Sequence, residues 1–385
     1  MKSIKNTQTS GRLGCGNVPL VWLLQGHRTG DNLQVEALAD GLGWPQQTKI
    51  LKWHRNWVNR PPQWTPFYGR FVSLKHLTSD AREGFNSPWP DVVLSIGWRS
   101  VPVARWIKNQ SGARLVHLGR PRAPLSYFDL VLTTPQYRLP RTNNVVHLTG
   151  PLTTVSPDTH DPTANKWAAR FAHLPRPWTA VLVGGDTPTL KFSSAATEAL
   201  AQAVDQHTLA SGGSLIIVTS PRTPQRVTNI LRNAIQAEAF VHEWTKGAEN
   251  PYAAVLAIAD QFIVTNDSIS MTHEAALTGR PVQIFALTSK EALIDRALRS
   301  VDYKMRSADT AMGKTYQGLI RNGVIYPPKS PEDYFQQLVK DGRASRWGEV
   351  MGTGASLRVE PENVRAVQAV RALFDPKDIG FADNK

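Results

Sequence analysis

Residues 264–282 read VTNDSISMTHEAALTGRPV. An apolar run, 261–265 (QFIVT), ends in small polar residues. A segment with the look of a helix follows and carries one acid, Glu274. A Thr278-Gly279-Arg280 turn then leads into a second apolar run, 281–285 (PVQIF). Strand, polar loop, helix, turn and strand make the repeating unit of a buried parallel sheet covered by helices. The hydroxyls, amides and carboxylate sit at the join between strand and helix, where such folds bind ligands.

The same unit recurs upstream. Residues 18–24 (VPLVWLL) suit a buried strand and 25–31 (QGHRTGD) a loop. Leu33, Ala37, Leu38 and Leu42 then repeat at helical spacing. Further strands are expected at 91–96, 114–118, 130–133 and 145–148. A stretch rich in Pro, Thr and Asp interrupts the pattern. It restarts with strands at 179–183 (TAVLV) and 214–219 (SLIIVT), and a helix through 195–207. The 385 residues suit two domains of about 150–200 residues each. The expected fold class is α/β, with two Rossmann-like doubly wound domains facing a cleft. Its division is a tail at 1–17, an N-terminal domain at 18–155, a linker at 156–177 with one helix, a C-terminal domain at 178–360, and a helix and tail at 361–385. One large open sheet is the alternative, and the linker composition speaks against it.

With 41% hydrophobic and 19% charged residues, the body reads as globular. No apolar run approaches the roughly 20 residues that span a bilayer. The first 17 residues are polar, unlike a secretory signal. Cys15 is the single cysteine, so neither a disulfide framework nor a cysteine metal site is expected, and a cytosolic protein is. Charge is lopsided. Residues 1–155 hold 19 Lys/Arg against 7 Asp/Glu, a net +12, whereas 156–385 hold 25 against 24, a net +1. The first half is thus expected to face an anionic surface, or else to carry charge only for solubility.

Four polar loops fall at expected carboxyl ends of strands, where helix N-termini offer N–H groups. The first holds Gly26, His27, Arg28, Thr29, Gly30 and Asp31. His27 and Asp31 are candidate general bases, and Asp31 is also a candidate N-cap. The second, Gly184-Gly185-Asp186, offers backbone amides to a phosphate but matches neither the Walker pattern nor the full dinucleotide fingerprint. The third holds Ser220 and Arg222, whose planar guanidinium suits an anion. The fourth is the opening stretch. Thr265, Asn266, Asp267, Ser268, Ser270 and Met271 surround a helix start suited to a diphosphate, and Glu274 suits the two hydroxyls of a ribose. A carboxylate that merely favours the helix N-terminus is the alternative. No Asp-x-Asp, HExxH or Cys/His cluster appears, so no metal or cofactor is expected.

Several segments together carry a resemblance: QGHRTGDNLQVEALADGLG, PDVVLSIGWRSVPVARWIK, RLVHLGRPRAPLSYFDLVLTTPQYRLP, AVLVGGDTP, VTSPRTP and NPYAAVLAIADQFIVTNDSISMTHEAALTGRPVQIF. From residue 18 to 285 the chain resembles the mitochondrial-fission "elongated mitochondria" family and its bacterial homologues. The resemblance implies a metal-independent GT-B-like glycosyltransferase, with the nucleotide-sugar donor in the second domain and the acceptor in the first. The loop from Gly26 to Asp31 is similar in placement to the acceptor-side loop of the peptidoglycan glycosyltransferase that adds N-acetylglucosamine to a lipid-linked precursor. Asp31 is then the first candidate for the base and His27 the second.

Acceptors of such enzymes are often lipid-linked, which gives the basic first half a role. Residues 49–71 mix Lys52, Arg55 and Arg60 with Trp53 and Trp57, a composition that suits headgroups. A core role for the tryptophans is the alternative. The expected partners are a nucleotide-sugar donor, a cell-envelope glycolipid or lipid-linked acceptor, and an anionic membrane surface. The expected place is cytoplasmic, peripheral on the inner membrane. Nucleic acid is not expected, since no binding motif accompanies the basic residues. A nucleotide-sugar epimerase and a non-catalytic membrane scaffold are the competing readings.

Overall fold

The structure, a computed structural model, describes residues 18–55, 68–155, 162–187, 190–287, 300–306, 310–349 and 362–374. The first half contains β1 (Val21–Gln25), α1 (Thr29–Leu42), β2 (Gln46–Ile50), α2 (Ser79–Glu83), β3 (Val92–Ile96), α3 (Val101–Ser111), β4 (Arg114–Leu118), β5 (Leu130–Thr133) and β6 (Val145–His147). The second contains α4 (Ala164–Phe171), β7 (Trp178–Val183), α5 (Ser194–Ser211), β8 (Ser214–Thr219), α6 (Gln225–Ala234), β9 (Ala239–His242), α7 (Tyr252–Ile258), β10 (Gln261–Thr265), α8 (Ile269–Leu277) and β11 (Val282–Phe285). It continues through α9 (Ala311–Arg321), α10 (Pro331–Lys340), β12 (Ser345–Arg346) and α11 (Glu362–Arg371).

The strands form two parallel six-stranded sheets, ordered β2-β1-β3-β4-β5-β6 and β12-β11-β10-β7-β8-β9. The α/β architecture expected from the sequence is therefore present. Each sheet is covered on both faces, which is why its central strands are apolar throughout. Side chains alternate across the sheet. Val21 and Leu23 enter one core and Trp22 and Leu24 the opposite one. Ala180 and Leu182 are likewise separated from Val181 and Val183. Trp22 lies 5.6 Å from Trp89 and 6.2 Å from Phe85, ring to ring, contacts that add about 0.5–1.5 kcal/mol each beyond burial. The strand order reverses at β1 in the first sheet and at β7 in the second. A crevice opens outside the carboxyl ends of the strands at such a reversal.

Packing departs from the expected domain boundaries in two places. Helix α4, expected in a linker, puts Trp167 and Phe171 into the core of the second half. Ile320 of α9 joins the core of the first half, with Tyr316 and Ile325 packed against it. Ala366, Val367, Ala369 and Val370 of α11 also return to the first half, where a Cβ on Gly41 of α1 would meet Val367 at 2.8 Å. Residues 178–360 are thus not one packing unit. Arg138 adds a polar tie: it donates to Asp302 at 2.7 Å and grips Asp333 with two nitrogens. Three strands were absent from the expectation. Gln46–Ile50 and Ala239–His242 are edge strands and Ser345–Arg346 spans two residues, so none is an apolar run.

The membrane-docking expectation at residues 49–71 is corrected at Trp53 alone. Trp53 is half-buried, forms an antiparallel bridge with Leu77 and packs against the core. The core alternative therefore holds for it. Lys52 pairs with Asp80 at 2.9 Å on the surface, and Arg55 is exposed. Trp57 and Arg60 lie outside the described residues, as do Cys15 and the tail. Among the described residues no helix is long and apolar enough to cross a membrane.

The return of α11 is open to test by mutation. Val370 is fully buried and Gln368 is exposed on the same helix. Val370→Asp should lower stability by about 3 kcal/mol or more, because it buries an unpaired carboxylate. Gln368→Asp should stay within about 0.5 kcal/mol. Urea midpoints of the two variants measure the difference.

Candidate functional site

At the first reversal, the loops after β1 and β3 border an open groove, lined in part by Gly26, His27, Asp31, Trp53, Trp98 and Arg99. The β1 loop is pinned by Asn32, which accepts from the Gly26 amide at 2.9 Å and donates to the Gly26 carbonyl at 3.0 Å. This clamp starts α1 where no side chain caps it: Arg28 occupies the N-cap position. Asp31 is therefore not the cap. It stands in the first turn, with Oδ2 3.9 Å from where a Cβ on Gly97 would be. Gly97 has φ +76°, a conformation glycine adopts without cost, and the missing side chain keeps that space clear. Nothing lies within 4 Å of a Cβ built on Gly26 or Gly30. Their small size leaves open space rather than serving internal packing. Burial, then the charges of Arg28 and Arg99, hold the His27 imidazole below its ordinary pKa, with Asp31 opposing. His27, Arg28 and Thr29 are exposed at the rim.

The second reversal is built differently. The loops after β7, β8 and β10 converge on Asp267, whose carboxylate has no exposed surface. Asp267 accepts from the Gly185 amide at 2.7 Å, from the Thr265 hydroxyl at 2.7 Å and from Arg222 at 3.2 Å. Burial raises its pKa, and those three donors oppose the rise. Thr265 also accepts from the Gly184 amide at 2.9 Å. Thr223 donates to the Val183 carbonyl at 3.1 Å, and Ser220 lies 3.0 Å from the Thr223 hydroxyl. A Cβ on Gly184 would stand 2.0 Å from Asp267, and one on Gly185 2.1 Å from the Arg222 carbonyl. The two glycines therefore let three loops close on one another. Their amides are committed to Thr265 and Asp267, which corrects their reading as a phosphate cradle. Asp186 accepts from the Phe192 amide at 2.9 Å and organises its own loop. Asn266 accepts from the Leu287 amide at 3.0 Å.

Ser268 caps α8 by accepting from the Met271 amide. The first-turn amides of Ile269 and Ser270 have no intrahelical partner, and they face the same end as Arg222, which stays exposed while touching Asp267. Met271 is half-buried against the core. Glu274 lies one turn further on, at the join between the halves. It accepts from the Thr153 hydroxyl at 3.1 Å and, through a very short bond, from the Tyr252 phenol. Burial pushes up the Glu274 carboxyl, with both hydroxyls opposing, and pushes the Tyr252 phenol well up. Beside it, His273 is buried with Nδ1 2.9 Å from the Tyr334 hydroxyl. A Cβ on Gly150 would lie 2.2 Å from the His273 ring. The four predicted loops thus form two sites, one open and one interlocked. The sequence reading missed Asn32, Tyr252 and Thr153, whose roles rest on tertiary contacts. It also missed Trp98 and Arg99, although residues 97–100 follow an expected strand and obey the rule applied to the other loops.

The two glycine pairs should respond oppositely to a methyl group. Gly184→Ala should cost about 1–3 kcal/mol through forced displacement, and Gly26→Ala less than about 0.5 kcal/mol, as read from chemical denaturation. A second expectation concerns pH. Burial, helped by Arg343, holds His273 at a pKa of about 3, below its unfolded value of about 6.5. Its contribution to stability is complete above pH 6.5 and declines as pH falls toward 3. Tm should therefore drop between pH 7 and 5, and His273→Gln should flatten that slope.

Comparison with known proteins places the chain. Mitochondrial fission protein ELM1 of Arabidopsis thaliana is 27% identical over 237 residues, covering 55% of this chain and 55% of that protein. The match thus spans about half of the relative's length. Among solved structures, a UDP-GlcNAc 2-epimerase from Methanocaldococcus jannaschii aligns over 92% of this chain and 99% of its own, at 10% identity and a TM-score of 0.48. A glycosyltransferase from Rickettsia africae ESF-5 aligns over 85% and 98%, at 12% identity and a TM-score of 0.43. The family model described as Mitochondrial fission ELM1 matches residues 29–312, and the chain belongs to that family.

Proposed function

We propose that this protein is a glycosyltransferase that moves a sugar from a nucleotide-sugar donor, held by the second half, to an acceptor held by the first. The observation that carries the reading is the pairing of two unlike strand-order reversals. One edge borders an open groove with Asp31 and His27. The other is a closed polar network that ends in first-turn amides, Arg222 and a carboxylate already engaged by two hydroxyls. For a ribose to reach Glu274, its hydroxyls would take the places of Tyr252 and Thr153 on the carboxylate. Ile269, Ser270 and Arg222 would take the phosphates.

In this reading the acceptor hydroxyl gives its proton to Asp31 and its oxygen attacks the anomeric carbon. The bond from that carbon to the phosphate oxygen breaks, and the electron pair leaves with the nucleotide. The developing charge is met by Arg222 and the α8 amides, so the scheme needs no metal. His27 is the second candidate for the base, kept neutral near pH 7 by its lowered pKa. The acceptor is a cell-envelope glycolipid or lipid-linked molecule, which suits the +12 carried by residues 1–155 at an anionic membrane face.

A thermal-shift titration with UDP, GDP, ADP and CMP tests the donor half. At about 100 times its dissociation constant, one nucleotide should stabilise the fold by roughly 2.7 kcal/mol, and Glu274→Ala should remove the shift. Asp31→Ala should keep the shift and lose transfer by about 10²–10⁴-fold. No shift with any nucleotide, with binding to anionic vesicles retained, would favour a scaffold. Isomerisation of a nucleotide sugar without any acceptor would favour an epimerase.

A further inference from the structure

The loop after β4, Gly119-Arg120-Pro121-Arg122, lies one strand over from the groove loop after β3, on the same carboxyl edge. Both of its arginines are partly enclosed. Arg120 donates to the Pro327 carbonyl, and the Arg122 guanidinium sits 5.2 Å from the Tyr326 ring. Among the described residues neither forms an ion pair with a carboxylate. The carboxylates in this region are already engaged. Asp302 receives Arg138 at 2.7 Å, Arg306 at 3.6 Å and the Tyr316 hydroxyl at 2.9 Å. Asp333 receives Arg138 and the Ser330 hydroxyl. Arg138 and Arg306 balance these two carboxylates, which leaves Arg120 and Arg122 as a local excess of +2. Lys329 adds a further charge at the rim, 4.5 Å from the Tyr137 ring.

Enclosed arginines without a counter-charge are costly and are normally paired. Burial, with the charge of Arg122 adding to it, pulls the Arg120 pKa down to about 10, and Asp302 opposes the fall without forming an ion pair. Arg122 is also held at φ +54°, a sparsely populated conformation for a side-chain-bearing residue. The Tyr326 hydroxyl donates to its carbonyl at 3.0 Å. Such backbone outliers concentrate at ligand clamps.

We propose that Arg120 and Arg122 form a phosphate-binding site on the carboxyl edge of the first sheet, and that the acceptor handled by this half carries a phosphate group. The second clause rests on the transferase reading above, and the first does not. Two guanidiniums with a net excess of two charges match a phosphate dianion in charge, and each offers planar donors suited to its oxygens.

The test uses the full chain and inorganic phosphate, with chloride at equal ionic strength as the control. Phosphate should raise Tm, and Arg122→Gln should weaken its apparent affinity on the order of tenfold or more. Because Arg120 is more enclosed, Arg120→Lys serves as the second variant. It should weaken phosphate binding while keeping the charge that supports folding. UDP titration of the same variants separates the sites: its shift should persist in Arg122→Gln. A phosphate shift unchanged in both variants, or lost in Arg222→Ala instead, overturns the proposal, as does no phosphate shift in the parent chain. Co-sedimentation with vesicles of phosphatidic acid in phosphatidylcholine identifies the source. Binding that Arg122→Gln removes points to a lipid phosphate, and a phosphate shift without vesicle binding points to a soluble phosphorylated acceptor.

Discussion

The carboxylate of Asp267 has no exposed surface, yet three loops from three strands are assembled on it. It draws in the Gly185 amide, the Thr265 hydroxyl and the Arg222 guanidinium. A buried charge is tolerated only when it is met by donors, and those donors here come from β7, β8 and β10. Each loop therefore takes its position from the same atom pair. The two glycines after β7 follow from this, because a methyl group on either would occupy the space of Asp267 or of the Arg222 backbone. So does the orientation of Arg222, which is held on one side by Asp267 and presents its remaining donors to solvent. The outward face of this edge is thus set by an inward contact.

The join between the halves has a comparable logic. Glu274 and His273 are adjacent on α8, and both reach across to residues that leave the first sheet. Glu274 meets Thr153, and His273 lies against Gly150. One is a carboxyl pushed up by burial and the other an imidazole pulled down by it. Both shifts favour the uncharged forms, as expected where two domains close over polar groups. Any movement of one half against the other must alter the surroundings of Glu274.

Much of this was legible in the sequence because parallel sheets write themselves plainly. Strands buried on both faces must be apolar throughout, so runs such as SLIIVT at β8 and QFIVT at β10 mark themselves, and the loops that follow them mark the ligand edge. Gln46–Ile50 carries no such mark: as an edge strand it alternates exposed and half-buried residues. Trp53 misled for a related reason. A tryptophan beside basic residues reads equally as a membrane anchor or as core, and only the bridge to Leu77 decides. Side-chain partnerships were beyond reach in principle. Thr153 and Glu274 are 121 residues apart, and neither has a local pattern that names the other. Gly184 and Gly26 look alike in the sequence, yet one fills a packed corner and the other borders open space.

The return of α11 to the first half has a temporal side. The last strand of the first sheet ends at His147, and the helix that covers one of its cores ends at Arg371. These positions are 371 − 147 = 224 residues apart. At about 5–20 residues per second, a ribosome needs roughly 10–45 s to make the missing cover. For that interval the nascent first half carries an apolar face formed by α1 and its neighbours, with the helix that belongs on it not yet synthesised.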